Sequence, residues 1–408
     1  PPPPSPASDA SPSPALFPFQ GGDIFRVFDS LNYIENMKMG VDAAGAAGGF
    51  VEGAICYTGD VADPSKTKYD LEYFVNYANE LAALGVHSIA IKDMAGLLTP
   101  QAAELLVGAI RKELPDMPIH IHSHDTAGAS VATMVAAAKA GADIVDVAID
   151  SMSGLTSQPS MGAVAAALKG TELETSLDLQ QLSGLNAYWD SVRGMYLPFE
   201  SGQLAGSSDV YAHEIPGGQY TNLLYQSKQL GLDERWAEIK RKYAQANLLL
   251  GDIPKVTPSS KVVGDLAQFM VSSNLEPEDV MASADSLPLP ASVVSYFQGA
   301  IGVPPGGFPE PLTSKVRKGR SLPDGSAAYE GRPGATMPDY DFAEAKKELV
   351  EKYGEFAIDE TEVLSHAMYP QVTEFPLPRT TRGALTPPRT HTPSAPALSP
   401  APPTFPPQ

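Results

Sequence analysis

The chain has 408 residues, 43% of them hydrophobic, enough for one barrel-sized domain with an appendage. Its formal net charge is 28 − 48 = −20, with no block of Lys and Arg and no interleaving of basic with aromatic residues, which argues against a nucleic acid partner. No apolar run approaches the roughly 20 residues that span a bilayer, so no membrane helix is expected, and the single cysteine, Cys56, excludes an internal disulfide framework and reads as a small core residue near a strand end.

Residues 1–22 are rich in Pro, Ser and Ala, and the same bias returns over 376–408 with Thr386-Pro387-Pro388 and Ala401-Pro402-Pro403. Neither stretch can bury a core, and both tails are expected to be disordered. The opening Pro1-Pro2-Pro3-Pro4 shows neither the charged start and apolar core of a secretion signal nor an arginine-rich transit pattern.

Between the tails a repeat is visible. Asp29, Tyr57, Lys92, His122 and Asp150 each close an apolar, β-rich run at intervals of 28, 35, 30 and 28 residues, one strand plus one helix per step. Five βα units are therefore predicted. After Asp70, the residues Leu71, Phe74, Val75, Ala78, Leu81 and Ala82 form one helical stripe, and Gly85 stands where a helix end favours glycine. Val86 to Ile91 reads as a strand, Thr99 and Pro100 open the next helix, and Pro118 to Ile121 reads as the following strand. An alanine-rich helix over 130–140 leads to the last legible strand, near Asp143 to Ile149.

Near Gly162 the chain turns helical, with helical patterns over 235–250 and 261–272. Glu214 to Thr221 carries the turn residues of an exposed loop; shaping the mouth of a site and a plain structural turn are equally open readings. The hydroxyl cluster Thr257-Pro258-Ser259-Ser260-Lys261 precedes a helix and, by composition, reads as its N-cap.

The chemistry concentrates in Lys92-Asp93-Met94-Ala95-Gly96 and His120-Ile121-His122-Ser123-His124-Asp125. Lys92 and His122 fall at equivalent ends of neighbouring parallel strands. Residues two apart on a strand share a face, so His122 and His124 can point at one centre with His120 deeper on that face. Two imidazoles are good ligands for a first-row metal, whereas an ammonium is not. Lys92 can join them only if its charge is removed, as in a carbamate formed with carbon dioxide. Asp93 and Asp125 read as carboxylates that orient these neighbours.

These motifs carry a resemblance. Together with Phe25 to Asn32, Tyr57 to Pro64, Ser151 to Pro159, Pro216 to Asn222 and Thr257 to Lys261, in this order, they resemble the carboxyltransferase domain of pyruvate carboxylases over roughly residues 23–370. The resemblance implies a TIM-type (β/α)8 barrel lacking its first strands, followed by a mostly helical extension. The expected division is 1–22 tail, 23–165 partial barrel, 166–375 extension and 376–408 tail. The missing strands would carry an aspartate ligand and an arginine for the substrate carboxylate, and residues 1–22 hold no counterpart. An open barrel would leave two strand edges unpaired, near Asp23 to Phe28 and near Asp143 to Ile149.

By the same resemblance, carbamylated Lys92, His122 and His124 would hold a divalent metal, Zn or Mn. Thr257 would shuttle a proton between biotin and pyruvate, and Ser260 with Lys261 would line the biotin pocket. The implied reaction moves a carboxyl group from carboxybiotin to pyruvate, giving oxaloacetate and feeding gluconeogenesis. The chain has no Met-Lys-Met biotin attachment motif and no glycine-rich ATP-grasp loop, so the carrier and the biotin carboxylase module must be other polypeptide. A homo-oligomer is expected, in the cytoplasm or alternatively the mitochondrion. The competing readings are a catalytically inactive remnant and an oxaloacetate decarboxylase-type relative. A metal-dependent lyase or synthase acting on an acyl-coenzyme A fits less well, because such relatives do not use a carbamylated lysine.

Overall fold

A computed structural model of the chain describes residues 22–335, 338–354 and 360–370. The two expected tails lie outside the described residues, Gly22 apart. Five parallel strands form one sheet in sequence order: β1 (Ile24–Phe28), β2 (Phe50–Cys56), β3 (Ser88–Lys92), β4 (Ile119–His122) and β5 (Ile144–Val145). Each is followed by a helix on the same side of the sheet: α1 (Ile34–Ala46), α2 (Leu71–Ala83), α3 (Pro100–Glu113), α4 (Ser130–Lys139) and α5 (Met161–Leu168). This is the predicted partial barrel.

Strand alternation explains the packing. Val51, Ile55, Ile89, Ile91, Ile119 and Ile121 point outward and are buried against Phe74, Leu81, Leu106, Ile110 and Met134 of the helices. Of the α2 stripe, Phe74, Ala78 and Leu81 are buried with Tyr77 added to them, and Leu71, Val75 and Ala82 are half-buried. Asp70 Oδ1 accepts from Tyr73 N at 2.9 Å, and Thr99 Oγ1 accepts from Ala102 N at 3.2 Å with Pro100 at the first helical position of α3.

The opposite parity of the same strands, the inner barrel face, carries Arg26, Glu52, Lys92, His120 and His122. Three strands short of eight, this face is left open. Ile24 and Phe28 of β1 are 67% and 39% exposed and Ile144 of β5 is 47% exposed. The fifth strand is shorter than its apolar pattern over 143–149 suggests. Only Ile144 and Val145 join the ladder, and Ala148 pairs instead with Ser160 in an isolated bridge, because an edge strand is held from one side only.

The extension continues as α6 (Leu179–Arg193), α7 (Val210–His213), α8 (Gly217–Gln229), α9 (Trp236–Leu249), α10 (Ser259–Ser272), α11 (Pro277–Ser283), α12 (Ala291–Phe297) and α13 (Leu312–Arg317). Its core gathers Ile239, Tyr243, Val263, Met270, Tyr296 and Phe297 around Leu31, which comes from the loop after β1. Barrel strands and extension thus belong to one compact unit, and a second begins at Pro338. Its described helices, α14 (Phe342–Tyr353) and α15 (Glu360–Met368), meet through Ala345, Leu349 and Val363.

Candidate active site

In a parallel barrel the C-terminal strand ends share one face, where side chains from several strands converge. Lys92 is in register with Cys56 on one side and His122 on the other, as the spacing predicts. Two loops on this face are held by backbone chemistry. Asp93 is fully buried; its Oδ1 accepts from the amides of Ala95, Gly96 and Leu97 at 3.3, 3.0 and 3.0 Å, and its Oδ2 from Leu98 N at 2.8 Å and Ser123 Oγ at 2.7 Å. Gly96 has φ 81°, and a Cβ there would stand 2.3 Å from the His124 carbonyl oxygen. Glycine lets the loop after β3 lie directly on the loop after β4.

Asp93 and Asp125 therefore do not orient the imidazoles through their carboxylates. Asp125 Oδ1 accepts from Ser130 N at 2.9 Å, tying the loop to α4. The carboxylate that reaches the histidines is Asp146, just beyond β5: its Oδ2 is 2.7 Å from His122 Nδ1 and its Oδ1 is 2.7 Å from His120 Nε2. His120 Nδ1 lies 2.8 Å from Glu52 Oε2, and Arg26 pairs with Glu52 and reaches Asp146 Oδ2 at 3.4 Å. Burial alone would raise the Asp146 carboxyl, but the hydrogen bonds from His120 and His122 hold it far below the usual carboxylate range. Burial works against charge on His120 too, yet the Asp146 and Glu52 carboxylates raise it to about 9.

Arg26, Glu52 and Asp146 were not legible as site residues from motif order alone. Arg26 and Glu52 interrupt apolar strands at the inward parity, which is the available signal. Asp146 falls in the stretch read simply as a strand edge.

His124 Nδ1 is 2.6 Å from the Thr156 carbonyl, and its Nε2 is buried with no hydrogen-bond partner among the described residues. Burial, first of all, lowers its pKa. The His122 and His124 ring centroids are 5.2 Å apart. Lys92 Nζ stands 4.9 Å from the Phe28 ring centroid, and burial lowers the pKa of its amine. Among the described residues no group of three or more His, Cys, Asp and Glu side chains is placed to hold a metal. The residues nonetheless fit one through the orphaned His124 Nε2 and the Nε2 of His122, whose Nδ1 is engaged. Lys92, in register with His122, is the neighbouring strand-end residue of the expected ligand set.

The extension covers this face. Gly217, the first residue of α8, donates its amide to the Met94 carbonyl at 2.8 Å, and a Cβ on it would lie 2.6 Å from His124 Nδ1. The stretch from Glu214 to Thr221 is thus not an exposed loop: Ile215, Pro216 and Gly217 are buried, because close packing on the histidine loop demands it. Farther on, Lys255 donates to Thr58 Oγ1 at 2.9 Å and pairs with Glu214 at 2.7 Å, while Ser259 Oγ lies 3.2 Å from the Ser30 carbonyl.

Thr257 lies in sequence between these two anchors and is exposed. It does not cap α10. Pro258 holds that position without a side-chain bond, and Ser259 ties the turn through Pro254 O and Val256 O at 2.7 Å each. Ser260 is buried inside the helix, whereas Lys261 is exposed and pairs with Asp265 at 2.5 Å. No hydrogen bond links Thr257, Ser260 or Lys261 to Lys92, His122 or His124 among the described residues. His87 is structural: its Nδ1 accepts from Val51 N at 2.9 Å and its ring stacks on Phe50.

Comparison with known proteins agrees with this geometry. The family model described as "Conserved carboxylase domain" matches residues 210–393, and the one described as "HMGL-like" matches residues 43–188. The chain is 55% identical over 354 residues to the mitochondrial pyruvate carboxylase of Mus musculus, covering 86% of this chain and 30% of that protein. It belongs to the pyruvate carboxylase carboxyltransferase family.

The pyruvate carboxylase of Schizosaccharomyces pombe is 52% identical over 354 residues, covering 87% of this chain and 29% of that protein. The carboxyl transferase domain of Rhizobium etli pyruvate carboxylase superposes with TM-score 0.84 at 44% identity, covering 88% of this chain and 59% of that one. That domain has also been solved with oxamate and biotin. The chain therefore spans about 30% of the curated pyruvate carboxylases it matches and 59% of the solved domain, and mitochondrial forms stand among those relatives.

Proposed function

We propose that this chain provides the carboxyltransferase site of a biotin-dependent pyruvate carboxylase, passing a carboxyl group from carboxybiotin to pyruvate to give oxaloacetate and biotin. The observation that carries the reading is the register of Lys92 with His122 at adjacent strand ends, with the His122 and His124 rings 5.2 Å apart and His124 Nε2 buried and unpaired among the described residues. His122, His124 and the carbamate of Lys92 would hold a divalent ion, Zn or Mn. When bound, that ion supplies Lewis acidity at the substrate carbonyl. Lys92 suits its part because burial favours the neutral amine that adds to carbon dioxide, releasing one proton.

Thr257 is the proton carrier. Its hydroxyl gives a proton to the biotin nitrogen as the carboxyl group leaves and takes one from the methyl group of pyruvate. Ser260 and Lys261 lie on the first turn of α10 beside it and line the biotin pocket, Lys261 from its exposed position. The carrier, the biotin carboxylase module and the strands that close the barrel come from further polypeptide, in an assembly of identical subunits.

A second reading, an inactive remnant, rests on the open sheet with Ile24, Phe28 and Ile144 exposed at its edges. An antibody against residues 60–160 and an avidin probe on one blot of the source cells separate the two. A biotinylated band several times heavier than 43.1 kDa is expected; a band near 43.1 kDa without biotin supports the remnant instead.

A further inference from the structure

We propose that Asp146 is a positioning residue, which fixes the ring of His122 with its proton on Nδ1 so that Nε2 is the free donor. A carboxylate accepts hydrogen bonds and cannot give one, so the 2.7 Å contact from His122 Nδ1 to Asp146 Oδ2 places the proton on Nδ1. The Thr156 carbonyl, likewise only an acceptor, does the same for His124 at 2.6 Å. Two rings thus carry one tautomer, imposed from different parts of the chain, although neutral imidazole is free to hold its proton on either nitrogen.

Asp146 needs support of its own, because the two-residue β5 ladder that precedes it is an edge. Its backbone amide donates to the Ile121 carbonyl at 2.9 Å. Its Oδ1 takes His120 Nε2 at 2.7 Å, His120 leans on Glu52 at 2.8 Å, and Arg26 closes the ring of contacts by pairing with Glu52 and with Asp146 Oδ2 at 3.4 Å. The side chains of Glu52, His120 and His122 are 5%, 12% and 15% exposed and that of Asp146 is 31% exposed, so the histidine side of the network is dry while water reaches the outer side of the carboxylate. The charged residues interrupting β1 and β2 thereby gain a purpose: they hold the carboxylate that holds His122.

The inference builds on the metal site proposed above, and its test has a readout that does not require metal. In the full 408-residue chain, isotope-labelled on histidine and free of metal, long-range proton–nitrogen spectra at alkaline pH report which nitrogen of His122 is protonated. Nδ1–H is expected in the wild type and in Asp146→Asn, whose amide oxygen still accepts; Asp146→Ala is expected to move the proton to Nε2. Cobalt(II) titration followed by absorbance should show affinity falling about 10 to 100-fold in Asp146→Ala and largely recovered in Asp146→Asn. A wild type already protonated at Nε2, or an Ala variant with unchanged tautomer, overturns the inference. If the Ala variant does not fold, the wild-type and Asn spectra decide. A chain that binds no cobalt yet switches tautomer upholds Asp146 and removes the metal site instead.

Discussion

Replacing Asp93 by alanine strips the acceptor from five donors at once: the amides of Ala95, Gly96, Leu97 and Leu98 and the Ser123 hydroxyl, at 2.7 to 3.3 Å. The site has no solvent access, since Asp93 is 0% exposed and Ser123 is 0% exposed. A buried donor left unpaired costs about 1 to 3 kcal/mol. The hydroxyl can turn away and the loop can relax, so two amides that stay dry set the scale, about 2 to 6 kcal/mol. Total stabilities run to roughly 5–15 kcal/mol, so Asp93→Ala should remove a large share. Asp93→Asn keeps the shape and one acceptor oxygen but turns an NH2 group toward Leu98 N, and is expected to cost about half as much. Urea denaturation followed by circular dichroism measures both. An Ala variant within about 1 kcal/mol of wild type would refute the role given to Asp93 as the organiser of the Lys92 loop.

Gly96→Ala should destabilise the chain by about 2 kcal/mol or more, because φ is 81° and the new methyl lands 2.3 Å from the His124 carbonyl oxygen; thermal melts read the loss. Leu106→Ala, at a fully buried position of α3, is expected to cost about 2 to 5 kcal/mol in the same assay. His213 is buried and its pKa is lowered by that burial from 6.5 to about 4. The folded state keeps it neutral where the unfolded chain protonates it, so its contribution is intact above pH 6.5 and is lost as pH falls through about 4. The loss approaches about 3 kcal/mol. His213→Asn, which can still accept from Ile215 N, should flatten that part of the stability profile; an unchanged slope speaks against the assignment.

Much of this was legible in the sequence, where periodicity and spacing act locally. The α2 stripe, the caps at Asp70 and Thr99 and the adjacency of Lys92 and His122 follow from the 3.6-residue and two-residue repeats and from the even beat of the βα units. What escaped prediction depends on contacts between distant segments. Asp146 meets His122 only because β5 pairs with β4, and nothing local distinguishes it from Asp143, which instead pairs with Arg111 at 2.5 Å. Pro216-Gly217-Gly218 has the composition of a turn, yet it starts a helix buried on the histidine loop. Thr257 resembles an N-cap, but the bonds go to Ser259, whose hydroxyl reaches Ser30 of the barrel.

The most direct test of the proposed site uses the native polypeptide that carries this sequence, wild type and Lys92→Ala, and measures pyruvate-dependent incorporation of labelled bicarbonate into oxaloacetate together with bound metal. The wild type should fix label and hold a divalent ion, and Lys92→Ala should lose both. A Lys92→Ala enzyme that keeps its metal and its carboxylation would contradict the assignment.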